Sequence, residues 1–532
     1  MKLFLAVPNQ AKGGISFAIP SAARTRDWVE RLPLLDTRES LMQIHGSLRG
    51  LNRKTIRIAQ RLRLLDIHRS PLRVVRGQVE SRFSKGAAPL SENDLTLAGL
   101  FRDCCVEMAY GYKIIVLEVA RSRKRRQLDE MKLSMARALY YLEQTVFACA
   151  LFRQSPPEGI WQEIHTLYSY ARTLGLAEDP LKDPVAKVRT STTISLTYRR
   201  ALLFGLSDPF HQSVPLMTRI QDFLRRHAGK AQIKKHIRTS RGHCEFIIDP
   251  MSDYPARVFS QEEEYPQGAL FLDTLELTHD ARELMEKLES AEEVDVEVDS
   301  EFKDELGRSL LKEVVYKWGL TATREKKRSE VEQTAVNIMI GIDAANYCLN
   351  DEAPFRLFSM EGTEKNQPEG NTLELHPKQS DLKTLEGTIL DRGDSGLRIP
   401  VPYDAADTEA LRVRDVITCR GEEQTWLPAV IRWMRCIEDS IHFGVETISD
   451  TTRPVAVKRV SGEREGPFTA GLVVYHEGSD APVFQLITWP GIYRSERNLL
   501  VDNGRALLMT RTRELVERSD TMEWFECEIL NL

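Results

Sequence analysis

The spacing of apolar residues changes once along the chain. From about residue 37 to 230 they recur every three or four positions, the pattern of helices with one buried face. Leu95 to Arg121 holds such rows, RSRKRR (Arg121 to Arg126) interrupts them, and LDEMKLSMARALYYLEQTVFACALF resumes them, predicting two long helices or one bent one. SPPEG (Ser155 to Gly159) signals a turn. A further helix follows, with Trp161, Ile164, Leu167, Tyr168, Ala171 and Leu174 on one face and Gly175 closing it. TISLTYRRALLFGL predicts another, ended by Asp208 and Pro209. Between 231 and 275 the pattern breaks into short strand-like pieces, HCEFIID and ALFLDT, with proline-containing turns between them. LTHDARELMEKLESAEE and SEFKDELGRSLLKEVVYKWGL return to helix. Beyond Leu320 the alternation is strand-like to the end, apart from a polar Gly, Pro, Asn and Gln stretch at 361–383 that reads as a linker or long exposed loop.

These elements predict a multidomain α+β protein. A helical N-terminal bundle or solenoid (1–230) leads through a mixed α/β connecting region (231–320) to a β-barrel (321–450) with an insertion at about 343–384. A β-rich extension (451–532) then packs as a second barrel-like unit. The helix after Gly159, with an early bulky aromatic and a later Ala, resembles the helices of tetratricopeptide-type solenoids. No clean repeat of about 34 residues accompanies it, so bundle and solenoid both stay open.

With 532 residues the chain exceeds one hydrophobic core, and 42% apolar with 28% charged residues is ordinary for a folded soluble protein. The opening MKLFLAV is broken by Pro8, Asn9, Gln10 and Lys12 before a signal-peptide core forms, and no later run is long and apolar enough to span a bilayer. Eight cysteines (104, 105, 149, 244, 348, 419, 436, 527) without a CxxC pair imply reduced thiols and a cytoplasmic setting. The net charge is only −5, yet Arg49 to Lys85 is arginine-rich and Glu289 to Glu305 strongly acidic.

Function becomes readable at LEGTILDRGDSGLRIPVP (Leu385 to Pro402), a strand, a tight glycine turn and a strand. LRVRDVITCR, TWLPAVIRWMR and SIHFGVETIS follow. In this order the runs resemble the PilZ-domain family, a small barrel whose (D/N)xSxxG turn is followed by strands reading "vGd.v.l", "a.vrw" and "fGve". Asp391 and Gly396 match the ends of the turn motif. Arg414 to Val416, Val430 to Trp433 and His442 to Glu446 follow in sequence.

The resemblance implies cyclic di-GMP as ligand and adds an RxxxR motif before the barrel. Arg324 and Arg328 have that spacing. Arginine's planar fork suits both phosphate oxygens and the guanine O6/N7 edge. A carboxylate or hydroxyl beside a glycine turn can accept from guanine N1 and N2. The expected binding residues are therefore Arg324, Arg328, Asp391, Gly393, Ser395 and Gly396. Two departures stand out. Gly393 occupies the motif's serine position, with Ser395 two residues on, and about sixty residues separate Arg328 from Asp391.

Other chemistry finds little support. His227, His236, His243 and Cys244 lie close together, but their spacing fits no familiar zinc pattern, so no metal is expected. Walker A, GxGxxG, GxSxG and HExxH motifs are absent, so neither an enzyme nor a cofactor is expected. RSRKRR lacks nearby exposed aromatics and the pI is about 6.2, so no nucleic-acid partner is expected. The reading is a non-catalytic cyclic di-GMP receptor that is not inserted in a membrane and relays to an unknown protein partner through its helical region. The alternative is an interaction scaffold whose barrel has lost its ligand.

Overall fold

A computed structural model describes residues 3–11, 21–122, 127–181, 192–236, 244–258, 264–290, 300–319, 329–358, 374–378, 382–393, 395–403, 411–421, 425–460, 466–475 and 483–530. The chain divides into two units, 1–86 with 90–324, and 87–89 with 325–532.

Among the described residues the first unit begins with eight α-helices: α1 (Ala22–Glu30), α2 (Thr37–Asn52), α3 (Ile58–Arg82), α4 (Glu92–Ser122), α5 (Leu128–Leu151), α6 (Ile160–Thr173), α7 (Ile194–Leu206) and α8 (Val214–His227). Strands β1 (Gln232–Lys234), β2 (Glu245–Ile248), β3 (Arg257–Val258) and β4 (Leu270–Asp273) form an antiparallel sheet in the order β1-β4-β2-β3. Helices α9 (Leu275–Ser290), α10 (Ser300–Lys303) and α11 (Glu305–Gly319) complete the unit.

Local chemistry sets these boundaries. Asp36 caps α2 by accepting from the Glu39 amide at 3.0 Å, and Thr193 caps α7 through the Leu196 amide at 2.9 Å. The α6 N-terminus is capped from a distance, the Asp253 carboxylate taking the amides of Gly159 and Trp161 at 2.6 and 2.9 Å. Gly175, at φ +72°, ends α6, and the Leu176 amide returns to the Ala171 carbonyl. Trp161 packs where α7 presents Gly205; a Cβ there would fall 2.8 Å from the indole and 2.6 Å from Pro255. The long, largely buried α4 and α5 supply the centre of a continuous apolar core.

The second unit contains β5 (Ser329–Ile340), α12 (Ile342–Leu349), β6 (Phe355–Arg356), β7 (Glu374–Leu375), β8 (Thr384–Gly393), β9 (Gly396–Pro402), β10 (Val416–Gly421), β11 (Leu427–Ile437) and β12 (Ser440–Thr447). It continues with β13 (Arg453–Arg459), β14 (Thr469–Val474), β15 (Val483–Thr488), β16 (Asn498–Asp502), β17 (Leu507–Arg518) and β18 (Glu523–Ile529). Two closed antiparallel barrels result, β5-β8-β9-β12-β11-β10 and β13-β14-β15-β18-β17-β16. Taken in chain order within each barrel, the strands have the same neighbours: the first closes on the fourth, and the third pairs with the sixth. The extension at the C-terminal end therefore repeats the connectivity of the barrel before it. Closure removes open sheet edges in both.

The first barrel is filled by alternate residues such as Ile338, Leu385, Ile399, Ile417, Met434 and Phe443. Ala88, from the short segment that joins this unit, exchanges backbone hydrogen bonds with Leu411 at 2.9 and 2.7 Å. The stretch read from the sequence as a looped-out insertion holds the two-stranded ribbon β6–β7 and, just before it, the helix α12. That helix lies between the barrels. Ile342 and Ala345 pack with Val416 and Val430 of one and Leu472 and Ile487 of the other. The Asn346 amide donates to the Val455 and Gly471 carbonyls at 2.9 and 2.8 Å. IDAANYCL spans barely two turns and is largely apolar, so it carries no clear helical contrast in sequence.

Candidate functional site on the first barrel

The β8–β9 hairpin carries four of the expected binding residues. Asp391 pairs with Arg398 and Gly393 with Gly396, leaving two residues at the tip, of which Ser395 is described. The Ser395 carbonyl accepts from the Thr447 amide at 2.9 Å, which fixes the tip to β12. Gly396 is required by that approach. A Cβ on it would stand 2.8 Å from the Val445 carbonyl oxygen, backbone that cannot swing aside.

Arg324 and Arg328 lie outside the described residues. The strand that begins immediately after them is informative all the same: in β5, Ser329 pairs with Arg392 and Glu330 with Asp391. The β5–β8 pairing thus sets residue 329 beside the hairpin, although about sixty residues separate the two in sequence.

Two residues missed in the sequence complete this outer face. The Arg398 guanidinium is 3.9 Å from the Asp391 carboxylate and donates from Nη2 to His442 Nδ1 at 3.3 Å. Its Nε–H is buried without an acceptor among the described residues. Partial burial and then the Arg398 cation lower the His442 pKa, so the ring is neutral and accepts at Nδ1. Strand alternation is the signal that could have found them: Leu397 and Ile399 point inward, so Arg398 points out, and likewise His442 between Ile441 and Phe443. On the same face Trp433 packs over Gly444, where any Cβ would collide with the indole.

Beside the hairpin lies a charge chain that leaves the barrel. Glu446, paired with Gly396, accepts from Arg432 Nε at 2.6 Å, and Arg432 Nη1 reaches Glu517 of the second barrel at 2.7 Å. Burial opposes the charge on Arg432, but the Glu517 and Glu446 carboxylates outweigh it and raise its pKa. A carboxylate, a guanidinium with spare donors, a neutral imidazole and a close-lying backbone turn together can hold a phosphate and the polar edge of a purine. Among the described residues, no group of three or more His, Cys, Asp or Glu side chains is placed to hold a metal ion, and no helix is long and apolar enough to cross a membrane. All eight cysteines are free thiols.

A closed barrel carrying the glycine hairpin, with a helical N-terminal region before it, fits the PilZ resemblance of the sequence. Residues 22–238 match the family model for the N-terminal domain of the cyclic-di-GMP receptor FimW, and residues 245–381 match that for its middle PilZ domain. A relative, the cyclic-di-GMP receptor FimW of Pseudomonas aeruginosa, is 26% identical over 357 residues, 66% of this chain and 57% of the relative. The chain thus spans little more than half the length of that relative. It belongs to the PilZ-domain family as a divergent member. The middle-domain match begins at β2 and ends just before β8, so the Asp391 hairpin lies beyond it.

Proposed function

We propose that the chain is a non-catalytic cyclic di-GMP receptor that works in the cytoplasm. Its first barrel takes the dinucleotide against the β8–β9 hairpin, and the helical unit passes the signal to a protein partner. The observation that carries this reading is the register of β5 on β8, Ser329 opposite Arg392 and Glu330 opposite Asp391, which sets the residue next in sequence after Arg328 beside the hairpin. In the proposal those two arginines clamp phosphate and guanine. Asp391 and Ser395 accept from the guanine, and Gly393 and Gly396 let the backbone approach. Arg398 adds a guanidinium whose Nε–H awaits an acceptor. That the FimW relative is a cyclic-di-GMP receptor supports the ligand class.

Gly393 favours a second reading, a scaffold whose barrel no longer binds, because a hydroxyl is missing from the motif. Isothermal titration of the full chain with cyclic di-GMP decides between them. Saturable heat that is lost in Arg328→Ala and Asp391→Ala supports the receptor. Silence from folded protein at tens of micromolar ligand leaves the scaffold.

A further inference from the structure

The helical unit has a feature that the barrel reading does not use. Between α3, α5 and α8, with Phe101 of α4 at its base, lies a cleft of about 380 Å³, within the size range of small-molecule sites. Arg69, Arg73, Arg76 and Arg225 line it, against two carboxylates among the described residues, Glu80 and Asp222.

Arg76 is built into the floor. Its Nε donates to Glu80 and its Nη2 to Gln221, each at 2.5 Å, and its Nη1 donates to Gln144. Side chains from three helices therefore hold one guanidinium in a fixed plane. A guanidinium has five N–H donors, and these contacts use three. The Glu80 carboxylate is occupied by Arg76, and Asp222 by Arg225. Arg73 is exposed and has no ion-pair or hydrogen-bond partner among the described residues, so the cleft keeps a positive surplus. Tyr140 stands beside it as an aromatic wall. At the rim, a Cβ on Gly77 would meet nothing within 4 Å, so the opening is clear.

A half-buried, preorganised arginine with spare donors, a free arginine beside it and an aromatic ring, in a space of this size, match a phosphate carried on a small ring-bearing molecule. We propose that this cleft binds a small organic phosphate of mononucleotide size, at a site separate from the barrel and made wholly by the helical unit. Arg73 and Arg225 would close on the phosphate from the rim, with Arg76 as the fixed donor beneath.

The test is titration of the full chain with GMP and with inorganic pyrophosphate, near physiological salt so that loose surface binding is screened. Saturable one-site binding of either probe with a Kd below about 1 mM is expected, weakened about tenfold or more by Arg73→Ala and by Arg225→Ala. Both positions are solvent-facing, and thermal melts of the variants confirm that they fold. Because the rim substitutions in the helical unit localise the binding, the result stands apart from the fate of the cyclic di-GMP reading. No saturable binding of either probe, or binding indifferent to both rim substitutions, overturns the proposal.

Discussion

Glu517 on β17 of the second barrel receives Arg432 on β11 of the first, with Nη1 2.8 and 2.7 Å from its two carboxylate oxygens. Arg414 lies 3.4 Å from the same carboxylate. Glu517→Ala therefore leaves two arginines of the first barrel without that acceptor, and the loss should be about 1–3 kcal/mol of stability. Guanidinium unfolding followed by tryptophan fluorescence measures it. A midpoint equal to the wild type would mean the pair contributes nothing.

On the ligand side, Arg398→Ala should weaken cyclic di-GMP binding by about 1.5–3 kcal/mol, the range for a hydrogen bond to a charged group. Titration calorimetry reads this directly. An unchanged affinity would remove Arg398 from the site and leave it a partner of Asp391 and His442 only.

Gly393→Ser tests the departure in the turn motif. Restoring the hydroxyl is expected to tighten cyclic di-GMP binding by about 0.5–1.5 kcal/mol, the net value of one neutral hydrogen bond. The same calorimetry checks it, and weaker binding would mean that the turn has adapted to glycine.

Gly396→Ala forces a methyl toward the Val445 carbonyl, where the Cβ would sit 2.8 Å from the oxygen. Overpacking of this kind costs about 1–3 kcal/mol. The variant should melt earlier than wild type, and its hairpin amides should exchange faster by hydrogen–deuterium mass spectrometry.

Asp415 gives the first barrel a pH response. Its carboxylate accepts from the Arg412 amide at 2.8 Å and from Thr521 of the second barrel at 2.7 Å, yet burial dominates and raises its pKa from 3.8 to about 6. Between those values the folded form holds a proton that the unfolded form has released. This group's contribution to stability is therefore full below pH 3.8, falls as pH rises, and is gone above about 6. Urea unfolding across that window should have a more negative slope against pH in wild type than in Asp415→Asn.

The change from helical to strand spacing made the α+β class readable, and the runs around Asp415, Val430 and Phe443 fall on or beside β10, β11 and β12 as the motif order implies. What the sequence could not reveal depends on pairing between distant segments. His442 and Arg398 are 44 residues apart and meet only because β12 lies against β9. The pairing of Glu330 with Asp391 likewise exists only through the β5–β8 register. Helix α12 escaped because its burial comes from two barrels at once, so few of its positions needed to be polar.

The shared connectivity of the barrels has a kinetic consequence. In the second barrel the first hairpin closes between Val457 and Thr469, whereas in the first barrel the equivalent pairing joins Met339 to Thr384 across α12 and the β6–β7 ribbon. Each doubling of a loop costs only about 0.6 kcal/mol of closure entropy, so the longer excursion is tolerated at equilibrium. Its rate is another matter, since non-local strand pairing is slow to nucleate. The barrel later in the chain is thus expected to close first, presenting the Val455 and Gly471 carbonyls that Asn346 of α12 binds.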